Sequence, residues 1–219
     1  MQCENLQLGF LKVLKGSYMK EQAKTYALQY LDEPPYEVLS TKWLKYDHLL
    51  ELKRVERMLE MYHNTCQFEV TLHQLEKETE SPYELFLLLA EFYRARGFEQ
   101  NQPSRLAKYQ ILLEFAVSRH PENESLYREL LTFDAYMREK CKQRPKFAMN
   151  LATYRDEIHR IQTDSSEHIE PFFYRVWEEN PGTKSTEPYF LIFYYNHRNP
   201  LTHNAAFRVY GEEQINTIF

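Results

Sequence analysis

Residues 36–62 read YEVLSTKWLKYDHLLELKRVERMLEMY. The first third, Tyr36 to Leu44, has a β-type pattern, with Tyr36, Val38 and Leu39 following Pro34-Pro35, a pair that forces extended backbone. The remainder is helical. Leu49, Leu52, Val55, Leu59 and Tyr62 recur at spacings of three and four and form one apolar stripe, and Glu51, Lys53, Arg54, Arg57 and Glu60 occupy the wetter side. Asp47 stands where a helix cap is expected. A strand therefore runs into a long charged helix with no glycine between them, and the chain divides at this junction.

Upstream, Leu6, Leu8, Phe10, Leu11, Val13 and Leu14 make a dense apolar run that stops at Lys15-Gly16. Such a run fits a strand buried on both faces, as in a parallel sheet, although periodicity does not exclude a helix. Ser17 then caps a short helix through Ala27. Strand, helix and strand make a β/α unit, which cannot bury its own faces without neighbours.

Downstream the pattern is helical. Phe68 to Lys77 predicts a short helix. The clearest start signal is SPYE (81–84): Ser81 caps, Pro82 has no N–H to lose, and Glu84 completes a capping box. That helix ends at Gly97 and is apolar nearly all round, so it is expected at the centre. Further helices are expected from about Ser104 to His120 and after Pro121, through Leu126, Leu130, Phe133 and Met137. Short connections favour antiparallel packing, and no repeat period links the pairs. Residues 141–167 are polar, with one short helix around Leu151 to Ile161. PFFYRVW (171–177) and PYFLIFYYN (188–196) then predict an antiparallel pair around the loop EENPGTKSTE, with FRVYG (207–211) as a third strand. The fold class expected is α+β, mainly α. A helical bundle lies at its centre, a β/α barrel remnant at its N-terminus and a small aromatic-rich antiparallel β element at its C-terminus. The domains expected are 1–45 and 46–219.

Composition excludes several function classes. In 219 residues, a 43% hydrophobic fraction supplies a core, and only five glycines favour helices over turns. Seventeen tyrosines and fourteen phenylalanines make aromatic rings the main packing material. The net charge of −5 lacks the basic excess of a nucleic-acid binder, so no nucleic-acid partner is expected. Arg138, Lys140, Lys142, Arg144 and Lys146 could still form a local patch, although such runs are usually solvated connectors. Three distant cysteines, Cys3, Cys66 and Cys141, suit a reducing cytoplasm. No signal peptide is legible and no apolar run approaches ~20 residues, so no membrane association is expected.

Chemistry-bearing motifs are few. His63 and Cys66 share a face of the expected helix, with His73 close behind, but structural zinc wants four ligands and no second pair exists, so no metal site is expected. His197 and His203 bracket RNPLT and read as a surface turn. There is no G-x-S-x-G, no phosphate loop and no dinucleotide fingerprint, so no catalytic residue is assigned. Asp134, within the apolar LLTFDAYM (130–137), is the carboxylate whose burial matters. Such a group more often pairs with an Arg than performs acid–base chemistry. Trp43 beside Lys42 reads as packing against the following helix.

LQLGFLKVLKGS (6–17) and PPYEVLSTKWLKYDHLLELKRVERMLEMYHNTCQF (34–68) closely resemble the C-terminal portion of bacterial cobalamin-binding radical SAM proteins. In those proteins a cobalamin-binding domain and a radical S-adenosylmethionine barrel precede a domain of unknown function. The likeness continues more weakly through the helices, RPKF (144–147) and LIFYYNHRNP (191–200), although the family pattern has Asp-Tyr where this chain has Tyr194-Tyr195. The resemblance implies that residues 1–45 are the last strands of the barrel and 46–219 an accessory domain. Barrel chemistry sits at the C-terminal ends of strands, which makes Lys12, Lys15, Gly16 and Thr41 the candidate cofactor-binding positions, although lysines so placed more often cover outer helices. An iron–sulfur cluster, S-adenosylmethionine and cobalamin are implied for a full-length parent and none for this chain, because Cys3, Cys66 and Cys141 cannot supply C-x-x-x-C-x-x-C. The implied partners are the N-terminal cobalamin-binding and radical SAM domains of the same polypeptide, and exposed barrel strands would favour a homodimer. A free-standing helical interaction domain with an aromatic β-edge is the alternative.

Overall fold

The computed structural model describes residues 5–100, 102–200, 202–212 and 215–216. Among these, seven α-helices run Tyr18–Glu21 (α1), Tyr46–Met58 (α2), Glu69–Lys77 (α3), Pro82–Ala95 (α4), Arg105–Arg119 (α5), Glu124–Arg138 (α6) and Arg155–Ile161 (α7). Six strands run Gln29–Tyr30 (β1), Val38–Ser40 (β2), His168–Phe172 (β3), Tyr189–Arg198 (β4), Ala205–Val209 (β5) and Ile215–Asn216 (β6). The fold is α+β and mainly α, with two small antiparallel sheets. No helix of the described residues is long and apolar enough to cross a membrane. The chain forms two compact units. One runs to Thr65 and takes in Ser81–Arg96; the other comprises Cys66–Glu80 and the chain from Gly97 onward.

In the first unit the N-terminal segment departs from the parallel strand–helix–strand arrangement. β1 and β2 pair antiparallel, and Lys12 forms an isolated antiparallel bridge to Glu37, with Val13 N–H donating to Tyr36 O and Val38 N–H to Leu11 O. The apolar run 6–14 is not a strand buried on both faces. Val13 is buried, whereas Leu6, Leu11 and Leu14 are exposed. The physical reason is the connection. A parallel pair needs a crossover of a dozen or more residues, usually a helix that covers the sheet. Here the helix after Ser17 is a single turn, α1, and the chain reverses at Ala27, whose φ is +48°. Ser17 does not cap α1 through its side chain; its hydroxyl donates back to Leu14 O.

The junction at 41–46 is a side-chain-built turn. Thr41 Oγ1 accepts from the backbone N–H of Trp43 and Leu44, and α2 begins after Lys45, so Asp47 lies in the first turn rather than at the cap. α2 continues into a π-helical turn, Leu59–His63. The extra residue resets the stripe. Leu49, Val55, Met58, Leu59, Met61 and Tyr62 are buried, and Leu52 is half-buried. α2 packs on α4, where the Tyr62 and Tyr93 hydroxyls lie 2.6 Å apart and their rings meet edge-on. α4 starts as its sequence predicts, with Ser81 Oγ accepting from Glu84 N–H, and Gly97 at φ +69° follows its end. It is not enclosed all round: Leu85, Phe86, Leu89, Ala90 and Tyr93 face inward, while Tyr83 and Glu91 are exposed.

In the second unit the most enclosed helix is α6, from which residues 129–137 are buried without interruption. α5 and α6 pack together across a 3-10 turn at Pro121–Asn123, and α3 packs on α6. The four-stranded sheet has the order β3-β4-β5-β6, antiparallel throughout. Phe133 of α6 meets Phe172, Phe193 and Phe207, one ring from each of β3, β4 and β5, at centroid distances of 6.1, 5.9 and 5.3 Å. Aromatic side chains join helix to sheet through specific edge-on geometry as well as buried area. The strand expected over 171–177 ends at Phe172, and the third strand expected at 207–211 is β5.

Candidate functional site

Four carboxylates are buried among the described residues: Glu129, Asp134, Glu167 and Glu170. Each is fully engaged. Asp134 projects from α6 onto the first turn of α3. Its Oδ1 accepts from Val70 N–H at 3.2 Å, and its Oδ2 from Thr71 N–H at 3.1 Å and Thr71 Oγ1 at 2.6 Å. The first N–H groups of any helix lack intrahelical partners, and a carboxylate there is also favoured by the helix dipole. Phe68, which precedes α3, has no capping side chain of its own, and Asp134 supplies the cap from 64 residues away. The expected Arg partner is replaced by a helix terminus. Glu129, also on α6, accepts from the N–H groups of Phe173 and Tyr174 at 2.8 and 2.9 Å, which diverts that backbone from the sheet and explains why β3 stops at Phe172.

Burial pushes Asp134 up from 3.8 to about 7, against the opposing hydrogen bonds from Thr71 and Val70. Burial likewise raises Glu129 from 4.5 to about 7, with the two backbone donors opposing. Raised carboxylates often mark acid–base sites. Here geometry decides otherwise, because the oxygens that would exchange a proton are already directed at backbone donors.

Glu170 on β3 is the hub of a third set. Arg144 forks onto both its oxygens, and His168 Nε2 lies 2.6 Å from Oε1. The His168 ring stacks on Tyr136 at 3.9 Å. A planar guanidinium holding a buried carboxylate in two bonds fixes register as well as charge. Arg144 also donates through Nε to Met149 O, so the segment following α6 is fastened to the sheet. Arg138 donates to Thr202 O, and Lys140 to Ser165 O and Glu167 O. The basic stretch 138–146 is therefore neither a continuous patch nor a free connector. Arg138, Lys140 and Arg144 tie it down, whereas Lys142 and Lys146 are exposed.

An open cleft of about 520 Å³ adjoins these ties. Its walls are the start of α5 at Arg105 and Leu106, residues 139–143 after α6, and Tyr195 and Arg198 on β4. Tyr195 hydroxyl donates to Tyr136 O at 2.9 Å, and the Arg198 guanidinium sits 5.4 Å from the Tyr195 ring centre. Burial pushes the Cys141 thiol up, against the pull of Arg105, so it is not an activated nucleophile.

The positions singled out in the sequence lie elsewhere. Lys12, Lys15 and Gly16 are exposed, with Gly16 in a turn at φ +77°, and the Thr41 hydroxyl serves its local turn. They do not line the cleft. His63 ends the π turn and packs on Phe86, whereas Cys66 follows in a turn at φ +49°, so the two do not share a helical face. No group of three His, Cys, Asp or Glu among the described residues could hold a metal ion. His203 is exposed in the turn after β4, while Asn199 and Asn204 of that turn are buried. Nothing is described of the His197 side chain, and Cys3 lies outside the described residues.

A family model described as a protein of unknown function, DUF4080, matches residues 24–199. The chain belongs to this family. The DUF4080 match crosses residues 45 and 46 without a break and includes β1 through β4, the Asp134 and Glu129 caps, the Glu170 ion-pair set and every wall of the cleft. No curated protein and no solved structure matches the chain.

The cleft escaped the sequence reading because its walls come from three distant stretches. A signal was present in Lys140, Cys141 and Lys142, where alternating cations flank a thiol.

Proposed function

We propose that this DUF4080 chain is the C-terminal accessory region of a cobalamin-dependent radical SAM enzyme, inactive alone, which covers or shapes the substrate end of the barrel. The observation that carries the reading is the surface of residues 6–46. Leu6, Leu11 and Leu31 are exposed there, together with Leu14 at 52%, Tyr18 at 67% and Trp43 at 70%. An exposed apolar patch marks a surface that another protein body covers, and these side chains all belong to one stretch of chain. The same segment carries the motifs that resemble the late barrel strands.

A non-catalytic role is supported by the engagement of all four buried carboxylates in caps and ion pairs. The three cysteines do not fit an iron–sulfur cluster, since their spacing matches no cluster motif. The cluster, S-adenosylmethionine and cobalamin belong to the preceding domains in this reading, and no step is assigned to them here.

A free-standing interaction domain is the second reading; the exposed residues of 6–46 serve it as well, and what favours the accessory reading over it is the resemblance of residues 6–17 and 34–68 to the barrel end of the longer proteins. Strand addition at β3 has less support, because this edge strand is buried from Ile169 to Phe172 and contains Pro171, which offers no N–H. An immunoblot of the source cells separates the two. A band far above 26.6 kDa is expected; a band at 26.6 kDa overturns the accessory reading in favour of the free-standing one. Formation of 5′-deoxyadenosine from S-adenosylmethionine by the purified chain, given only a reductant, would also overturn it.

A further inference from the structure

We propose that the cleft between α5, the segment after α6 and β4 binds a small organic oxyanion, a carboxylate or phosphate ester with a flat apolar body. The proposal does not depend on the accessory reading. Four cations stand in the walls, Arg105, Lys140, Lys142 and Arg198, against one carboxylate, Glu139. That local excess is set in a chain whose net charge is −5. A concave surface with one sign of charge focuses its field and concentrates counter-ions. The volume of about 520 Å³ falls within the range typical of small-molecule sites.

The way the cations are held strengthens the argument. Arg105 pairs with Glu139 and is neutralised. Arg198 is held differently, by the carbonyl oxygens of Arg138 and His203 at 2.8 and 2.7 Å. Lys140 is held by the carbonyls of Ser165 and Glu167. Carbonyl acceptors orient a cation without cancelling its charge, so these two remain available to an anion in fixed positions. Lys142 is exposed at the same wall and adds a long, adaptable donor. Pre-organised cations lower the ordering cost of binding.

The rest of the lining selects for more than an inorganic ion. The Tyr195 hydroxyl is bound to Tyr136 O, which leaves its ring as a wall, and Leu106 is an exposed apolar side chain on another. A ligand with an anionic end and a flat body satisfies both.

The test uses the intact chain with benzoate and phenyl phosphate as probes, inorganic phosphate as the size control and benzylamine as the charge control. The readouts are heat of titration and the rate of Cys141 alkylation by iodoacetamide, followed on its own peptide. Because Cys141 lines the cleft, its protection localises binding. The expected result is saturable binding of benzoate or phenyl phosphate with slowed Cys141 alkylation, and about tenfold weaker binding by Lys142→Glu, an exposed substitution. Preference for one probe assigns the head group as carboxylate or phosphate. The proposal is overturned if neither probe protects Cys141, if benzylamine protects it equally, if inorganic phosphate binds as tightly as the aromatic probes, or if Lys142→Glu binds as wild type does.

Discussion

Two stretches of this chain have similar apolar density and opposite fates. Residues 6–46 contain one buried position in the run Leu6 to Leu14, and their regular structure amounts to one helical turn and two very short strands. Residues 124–138 form a full helix on which even Glu129 and Asp134 are buried. The difference is not hydrophobicity. α6 has packing partners within its own unit, α3, α5 and the aromatic faces of β3, β4 and β5, and its polar groups are matched to backbone donors. The N-terminal segment has a short hairpin and an isolated bridge. Apolar content states a need for burial; only the surrounding elements decide whether this chain meets that need itself.

The largest effect that would break the comparison is at Asp134. Asp134→Ala leaves the N–H groups of Val70 and Thr71 without their buried acceptor, at an expected loss of about 2–4 kcal/mol in urea unfolding at mildly acidic pH, below the raised pKa of Asp134. A loss below about 1 kcal/mol would mean that α6 does not cap α3. A pH-dependent effect of comparable size sharpens the same point. Asp134 ordinarily titrates near 3.8 and is pushed up to about 7 in the folded chain. The folded state therefore holds this proton more tightly, so the contribution is fully present below about pH 4 and is lost as pH rises through about 7. The stability difference between wild type and Asp134→Asn should accordingly shift against wild type across that window, by an amount on the order of a few kcal/mol. A difference constant from pH 4 to 8 would contradict the burial argument. The smallest effect is expected in the other stretch. Leu14→Ser with Trp43→Ser should change stability by no more than about 0.5 kcal/mol, since both side chains are largely exposed.

Local signals carried most of the legible fold. The Ser81 cap, the helix start near Ser104, the stop before Gly97 and the aromatic-rich strand at 188–196 are written in contiguous residues and hold in the structure, whereas the strand expected over 171–177 survives only at Pro171 and Phe172. Helix interiors at 69–77 and 155–161 follow for the same reason. Features that depend on partners far away were not legible. Apolar density at 6–14 suggested a buried strand and left a helix open, and it could not state that only Lys12 would bridge, antiparallel, to Glu37. The π turn after Met58 inserts a residue that a 3.6-residue period does not anticipate. Asp134 could be singled out by its apolar neighbours, yet its partner is the end of another helix. Glu129 gave no signal, being one acid among many on a helix. The cleft is walled by residues 105–106, 139–143, Tyr195 and Arg198, three stretches that meet only in the folded chain.

The central claim is that residues 6–46 present apolar side chains that another protein body covers, and it is tested most directly by sedimentation velocity of the purified chain over a wide concentration range. If such a body normally covers this surface, the wild-type chain on its own should self-associate as concentration rises, and Leu14→Ser with Trp43→Ser should sediment as a monomer. A wild-type chain that stays monomeric throughout, or a double variant that associates as strongly as wild type, would contradict the claim.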